Sequence, residues 1–124
     1  MKSLNELMEQ VKARDDFSSA GMVLCHNGVV RKTSRDGRRV SGLSVTVDWD
    51  KLVEVVAAQK LRRGIVEILV DINEDQDLEV GDDVMYLVVA GDVRETVIEV
   101  LSDTLNQIKK TVTSKTEYFL DDQA

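Results

Sequence analysis

The residues of this sequence that could bind an anion are concentrated in one short basic segment. Residues 31–39 read Arg-Lys-Thr-Ser-Arg-Asp-Gly-Arg-Arg, so five cations face a single carboxylate in a chain whose formal net charge is −7. Arg31 follows directly on an apolar run, and Gly28 lies shortly before it. A glycine inside a strand often marks a bulge or a place where a ligand comes close. Arg31 is therefore a candidate for holding an anionic small molecule.

The same segment has a second interpretation. Asp36-Gly37 is a strong turn signal, so residues 31–39 could form a solvated hairpin turn whose cations have no ligand. The sequence leaves both interpretations open.

The elements around this segment predict an α+β fold, with helices packed on a mixed, mainly antiparallel sheet. Helices are predicted where apolar residues recur every three or four positions, and strands where they alternate or run continuously. The predicted order is helix 3–14, strand 21–31, strand 40–47, helix 48–63, strand 65–70, strand 84–90, helix 93–110 and strand 111–120, followed by a polar end. The first two strands are expected to pair as a hairpin.

Each predicted helix begins with a residue that could cap it. Ser3 with Glu6 and Asp92 with Glu95 match the capping box, and either Asp48 or Asp50 could cap the second helix. Lys109 and Lys110 at the end of the last helix suit the helix dipole, which would explain them without any chemistry.

Bulk composition narrows the class of protein. A chain of 124 residues is expected to form one domain, residues 1–124, and a net charge of −7 argues against nucleic acid as a partner. The one cysteine, Cys25, lies in an apolar run, which fits a packed thiol in a reducing, cytoplasmic setting. No stretch is apolar enough to span a membrane, so no membrane partner is expected.

Residues 71–83 resemble a calcium loop only in part, and a solvated acidic connection is expected there, with no metal and no cofactor.

Two segments resemble the large, catalytic subunit of molybdopterin synthase. The strand from Gly21 carries Gly21, Gly28 and Arg31 at the spacing of the family's "G-A-V…G-x-V-R" signature. Leu78-Glu-Val-Gly-Asp82 is similar to the family's "G-E-L…G-D" segment.

A third similarity covers the last helix and the strand after it. Arg94 opens the helix and Lys109 closes it at the family's interval of fifteen residues, and Lys115 follows shortly after, as a second lysine does in the family. The resemblance extends over roughly residues 20–120 and implies a hammerhead-like form of the α+β fold.

The resemblance implies an activity in molybdenum cofactor biosynthesis. Sulfur would pass from the thiocarboxylated Gly-Gly tail of a ubiquitin-like small subunit to cyclic pyranopterin monophosphate, giving molybdopterin. Lys109 and Lys115 would be catalytic, because neighbouring cations favour the neutral, nucleophilic amine. The expected substrate-binding residues are Arg31, Arg94, Gly28 and Arg39.

Geometry adds an expectation about assembly. Arg94 and Lys109 lie about 22 Å apart along one helix, so both cannot serve one pocket in one chain. We therefore expect a homodimer in which Arg94 reaches a neighbour's site, within a heterotetramer that includes the small subunit.

Two departures from the family keep an alternative open. Val93 stands where the family has a histidine, and Thr111-Val-Thr-Ser114 replaces an aromatic, proline-containing loop. His26 does not align with that histidine and is expected to be a strand residue. The alternative is a non-catalytic relative that keeps the fold and binds a small subunit or a phosphorylated small molecule.

Overall fold

Three helices and six strands make up the fold, seen in a computed structural model that describes residues 1–120. The predicted polar end at 121–124 lies outside the described residues. In chain order the elements are α1 (Leu4–Lys12), β1 (Met22–Val29), β2 (Val40–Val47), α2 (Trp49–Lys60), β3 (Ile65–Ile72), β4 (Leu78–Glu79), β5 (Asp83–Gly91), α3 (Arg94–Gln107) and β6 (Thr113–Phe119). A short 3₁₀ helix covers Phe17–Ser19, and a π-helical turn covers Ile108–Val112. The α+β class is confirmed; the two-residue strand β4 and the π-helical turn were not predicted.

The strands form two three-stranded sheets. The first sheet has the order β1-β5-β3 and the second has the order β4-β2-β6. Every strand pair in residues 1–120 is antiparallel, which confirms the mainly antiparallel prediction.

The predicted β1–β2 hairpin is wrong. β1 pairs with β5 along its whole length, from Met22 opposite Gly91 to Val29 opposite Asp83, while β2 pairs with β4 and β6. The segment between them does turn, with Gly37 at φ 86° and a bridge between Thr33 and Arg39. The basic segment therefore passes from one sheet to the other instead of closing a hairpin.

Both faces of the first sheet are covered by helices. On one face, Leu7 and Val11 of α1 pack with Val88 of β5. On the other face, Val97 and Val100 of α3 pack with Leu87, which is fully buried. Cys25 of β1 lies on the α1 side, where its Sγ is 3.3 Å from Met8 Sδ, so the thiol is packed as predicted.

A third cluster lies between the second sheet, α2 and the π-helical turn. It includes Leu43 and Val45 of β2, Leu52 of α2, and Ile108 and Val112 of the turn. Both apolar residues of the turn, Ile108 and Val112, are therefore buried in the core.

The helix caps follow the prediction in two of three cases. Ser3 Oγ accepts from Glu6 N at 3.1 Å, and Asp48 Oδ1 accepts from Lys51 N at 3.1 Å. The Asp92 cap is wrong: its carboxylate accepts from the adjacent Val93 N at 2.7 Å and lies against Gly64. Val93 is the residue before α3 and caps it with no side-chain hydrogen bond.

One buried carboxylate connects β3 to α2 and to the segment after α1, and it supports a prediction on stability. Glu67 of β3 is 7% exposed and forms ion pairs with Arg14 at 2.7 Å and Lys60 at 2.9 Å. Burial raises the pKa of Glu67, but hydrogen bonds from Lys60 and Ile68 N, with the charges of Lys60 and Arg14, outweigh it and leave the pKa below its usual value.

Because this pKa is lowered by folding, the stabilisation is present above the ordinary glutamate pKa and is lost as pH falls through the folded value. We expect Glu67→Gln to lower the free energy of unfolding at neutral pH by about 1 to 3 kcal/mol. Urea titrations of both proteins should converge at acidic pH. A difference that stays constant with pH would mean that shape, not charge, sets the effect.

Candidate functional site: a cationic cleft between the two sheets

A cleft opens where the end of β1 meets the second sheet and the π-helical turn. It has two adjoining compartments, an inner one of about 340 Å³ and an outer one of about 250 Å³. Residues lining both compartments are Val29, Arg35, Leu43, Lys109 and Lys115. The cleft therefore has a shared cationic wall and a partly apolar floor.

The outer compartment brings together three residues that are far apart in the sequence. Arg31, Lys109 and Lys115 all line it, together with Arg35 and the carboxylate residue Glu117. Arg31 Nε donates to the Thr33 carbonyl oxygen at 2.8 Å, which fixes the guanidinium beside the start of the basic segment. Four cations against one carboxylate make this compartment suited to an anion with several oxygen atoms.

The two lysines are positioned by a helix that runs directly into a strand. Lys109 lies in the π-helical turn next to Ile108, which is fully buried, and Lys115 lies on β6. The Thr111 hydroxyl donates to the Gln107 carbonyl at 2.8 Å, and Thr113 N closes the turn onto the Ile108 carbonyl. A π-helical turn commonly marks a functional site, because it redirects a side chain without breaking the helix.

The inner compartment combines an imidazole with apolar side chains. It is lined by His26 and Gly28 of β1, by Lys109 and Lys115, and by aliphatic residues of both sheets. The pKa of His26 is lowered, first by burial and second by the charge of Lys109. His26 is a strand residue, as predicted, and the structure also places it on the cleft wall, which the sequence did not indicate.

Gly28 gives this imidazole its room. The β1–β5 register shifts between Gly28 and Val29, in agreement with the expected bulge. A Cβ added at Gly28 would lie 3.3 Å from His26 Nε2, tighter than an ordinary contact. Because Gly28 has no side chain, it leaves room for the His26 imidazole in the inner compartment.

Two predicted substrate-binding residues lie outside the cleft of their own chain. Arg94 opens α3 with a side chain that is 77% exposed and 3.3 Å from Glu95. Arg39 is exposed at the base of the basic segment, opposite Thr33, and lines neither compartment.

Arg35 was not among the site residues predicted from the sequence, although the Asp36-Gly37 turn signal lies directly after it. Ser34 O accepts from Gly37 N at 3.0 Å and Ser34 N donates to Arg38 O at 2.8 Å, so a closed turn carries Arg35 at its second position. The Arg38 guanidinium stacks on the Phe119 ring at 3.7 Å and attaches the turn to β6. The Asp36-Gly37 turn signal is thus real, and the turn also projects a cation into the cleft.

Other classes of site find no support in the described part of the chain. Residues 1–120 contain no cluster of three or more histidine, cysteine or acidic side chains arranged to bind a metal ion. No helix among them has the length and apolar character that crossing a membrane requires.

Comparison with known proteins gives a family and a fold. The family described as "MoaE protein" matches residues 1–111. No curated protein matched the sequence.

Solved structures of low sequence identity share the fold. Molybdopterin synthase from Staphylococcus aureus superposes with a TM-score of 0.77 at 17% identity, covering 97% of this chain and 87% of that chain. Molybdopterin cofactor biosynthesis protein E from Burkholderia multivorans gives 0.74 at 20% identity, covering 99% and 86%. A complex of subunits 1 and 2 of the molybdopterin-converting factor from Helicobacter pylori gives 0.69 at 16% identity, covering 99% and 87%.

The family match extends over most of the chain and includes the strand that leads to Arg31 and the helix that leads to Lys109. The chain belongs to the MoaE protein family, that of the large subunit of molybdopterin synthase, and its function lies in molybdenum cofactor biosynthesis.

Proposed function

We propose that this chain is a catalytic large subunit that transfers sulfur to cyclic pyranopterin monophosphate, yielding the dithiolene of molybdopterin. The sulfur donor is the thiocarboxylated C-terminal tail of a ubiquitin-like small subunit. The observation that carries the proposal is the meeting of Arg31, Lys109 and Lys115 in one compartment.

The charges of the cleft support a division of roles. Arg31 and Arg35 can each present a planar fork of donors to the phosphate, which is the geometry that phosphate oxygens accept best. Lys109 and Lys115 line both compartments, so each can contact a substrate that occupies the two of them. A neutral amine there can act as a base or as a nucleophile toward the thiocarboxylate carbon.

The assembly in this proposal is a homodimer within a heterotetramer, one domain per chain, in the cytoplasm. The solvent-exposed position of Arg94, far from the cleft of its own chain, supports a role at a neighbour's site. The packed Cys25 thiol is compatible with a reducing compartment.

Reconstitution tests the reaction. The purified chain is mixed with a thiocarboxylated small subunit and cyclic pyranopterin monophosphate, and dithiolene product is measured. Product formation supports the catalytic proposal, and small-subunit binding without product favours the non-catalytic relative. That second candidate is favoured by Val93, whose side chain cannot transfer a proton where the family has a histidine.

Arg35 allows a sharper test of phosphate binding. We expect Arg35→Gln to raise the KM for cyclic pyranopterin monophosphate by about 10-fold to 100-fold, since a hydrogen-bonded charge pair contributes about 1.5 to 3 kcal/mol. Lys32→Gln is the matched control, because Lys32 lies in the same basic segment but lines neither compartment. Equal effects of the two substitutions would indicate general attraction by positive charge and no specific contact from Arg35.

A further inference from the structure

The imidazole of His26 faces the cleft from β1. Met22 and Leu24, earlier on the same strand, pack against the cluster on the α3 side of the sheet. Because side chains alternate along a strand, His26 lies on that same side, and it lines the inner compartment. Its Nε2 lies 3.3 Å from the position that a Cβ on Gly28 would take, so the ring extends along β1 toward Val29, which lines both compartments.

The other charged groups of the inner compartment are all cations. They are Arg35 of the basic segment, Lys109 of the π-helical turn and Lys115 of β6. β2, β3 and β5 contribute only apolar side chains, and in the part of the chain that the structure describes no carboxylate lines this compartment. A guanidinium does not lose its proton in proteins and an ammonium group cannot accept one, so the imidazole is the available base.

The surroundings of His26 favour its uncharged form. Burial lowers the pKa of His26 first, and the charge of Lys109 lowers it second. An uncharged imidazole that carries its hydrogen on Nδ1 has a free lone pair on Nε2, the atom that lies over Gly28. The side chain can therefore accept a proton at neutral pH.

Glu117 is the other group of the cleft that could take a proton. It lines the outer compartment and not the inner one, and its Oε1 forms an ion pair with Lys115 Nζ at 3.8 Å. A reacting atom in the inner compartment therefore has His26 beside it, and not Glu117.

The proposed reaction contains a step that needs a base. Once the thiocarboxylate sulfur has bonded to a carbon of the substrate, the small-subunit tail and the substrate are joined as a thioester. To release them, the oxygen of a water molecule bonds to the acyl carbon, and the carbon–sulfur bond breaks with its electron pair leaving on sulfur as a thiolate. The water gives up one proton to a base, and the carboxylic acid that forms loses a second proton to solvent.

We propose that His26 is the general base that takes the proton from this water, with Nε2 as the accepting atom. The inference rests on the proposed function and deepens it, because it assigns the proton transfer to a residue other than the two lysines.

The kinetic test compares His26→Gln with the wild type in the reconstituted reaction. Glutamine is polar but cannot take the proton, so kcat should fall by about 10²-fold to 10⁴-fold while KM for cyclic pyranopterin monophosphate changes by less than about threefold. Because cleavage of the acyl–sulfur bond is the step that slows, mass spectrometry should detect the small subunit joined covalently to the substrate. Imidazole added to His26→Ala should restore part of the rate.

Asn27→Ala is the matched control. Asn27 is the next residue of β1, is exposed and lines neither compartment, so its truncation should leave the rate unchanged. Circular dichroism and thermal unfolding show that each variant is folded.

The pH dependence gives a readout that a structural role would not change. The neutral base is active above its pKa, so kcat/KM should rise with pH through the pKa of His26 in the free chain, below the ordinary value of 6.5. His26 is the one histidine of the sequence, so an NMR titration of the untagged chain measures that pKa directly. Lys109→Gln should raise it, because a positive charge beside the ring is removed.

The outcomes separate this inference from the proposed function. A wild-type rate in His26→Gln would overturn the inference and leave the proposed reaction standing. If His26→Gln is slow but still loses activity as pH falls, or if Glu117→Gln removes that loss instead, His26 is not the base. A wild type that forms no product would overturn the proposed function and this inference with it.

Discussion

Replacing Lys109 by alanine should abolish sulfur transfer while the protein stays folded. Lys109 lines both compartments of the cleft, and loss of a catalytic base or nucleophile typically costs a factor of about 10² to 10⁴. Its exposed side chain contributes to folding only through the helix end, less than about 1 kcal/mol. Single-turnover formation of dithiolene, together with thermal unfolding, measures both quantities.

The next residue provides the control. Lys110 is also exposed and belongs to the same turn, but it lines neither compartment. Lys110→Ala should therefore keep the wild-type rate. If Lys109→Ala unfolds the chain its role is structural, and if both variants lose activity equally the lysines act through general charge.

Ile108→Ala should both destabilise the protein and slow the reaction. Ile108 is fully buried in the cluster that anchors the π-helical turn, and truncation of such a side chain costs about 2 to 5 kcal/mol. Because Ile108 precedes Lys109 in the same π-helical turn, we expect kcat to fall even at temperatures where the variant is folded. Urea unfolding gives the free energy, and activity at low temperature gives the rate.

Ile98→Ala, in the helix α3 that precedes the turn, is the matched substitution. Ile98 is 48% exposed, so its truncation should change the free energy of unfolding by no more than about 0.5 kcal/mol and leave kcat unchanged. Full activity of folded Ile108→Ala would show that the turn keeps Lys109 in place without its core anchor.

The sequence predicted local structure best where the signal is itself local. The caps at Ser3 and Asp48 depend on a side chain and an amide three residues away, and both formed. The Asp92 cap failed because a distant residue, Gly64, leaves space that the carboxylate occupies.

Strand pairing was harder to predict than strand position. The apolar runs located β1 and β2, but the partner of β1 is β5, about sixty residues later in the chain. Pairing depends on which helices cover each face, and α1 and α3 enclose the β1–β5 pair from both sides. The turn signal between β1 and β2 therefore predicted a turn correctly, but it did not show that the two strands pair with each other.

The sequence predicted only part of the cleft, because the cleft, like strand pairing, depends on contacts between distant segments of the chain. Arg31 was singled out by the basic segment and the nearby Gly28, and Lys109 and Lys115 by family spacing, which records tertiary proximity indirectly. No family spacing marks Arg35 or His26. Arg35 reaches the cleft because of the geometry of its turn, and His26 fits on the cleft wall because Gly28 leaves space for it. Both positions become evident only when the two sheets are placed together.

The π-helical turn has a mechanical consequence. It ends at Val112 and β6 begins at Thr113, so no loop separates the helix that carries Lys109 from the strand that carries Lys115. The two amines are thus borne by one continuous rigid body, and a guest that engages both meets them already arranged, at little cost in entropy. Lengthening this junction by even one glycine would give the amines independent freedom, and the cleft would lose its preorganisation without losing any of its charges.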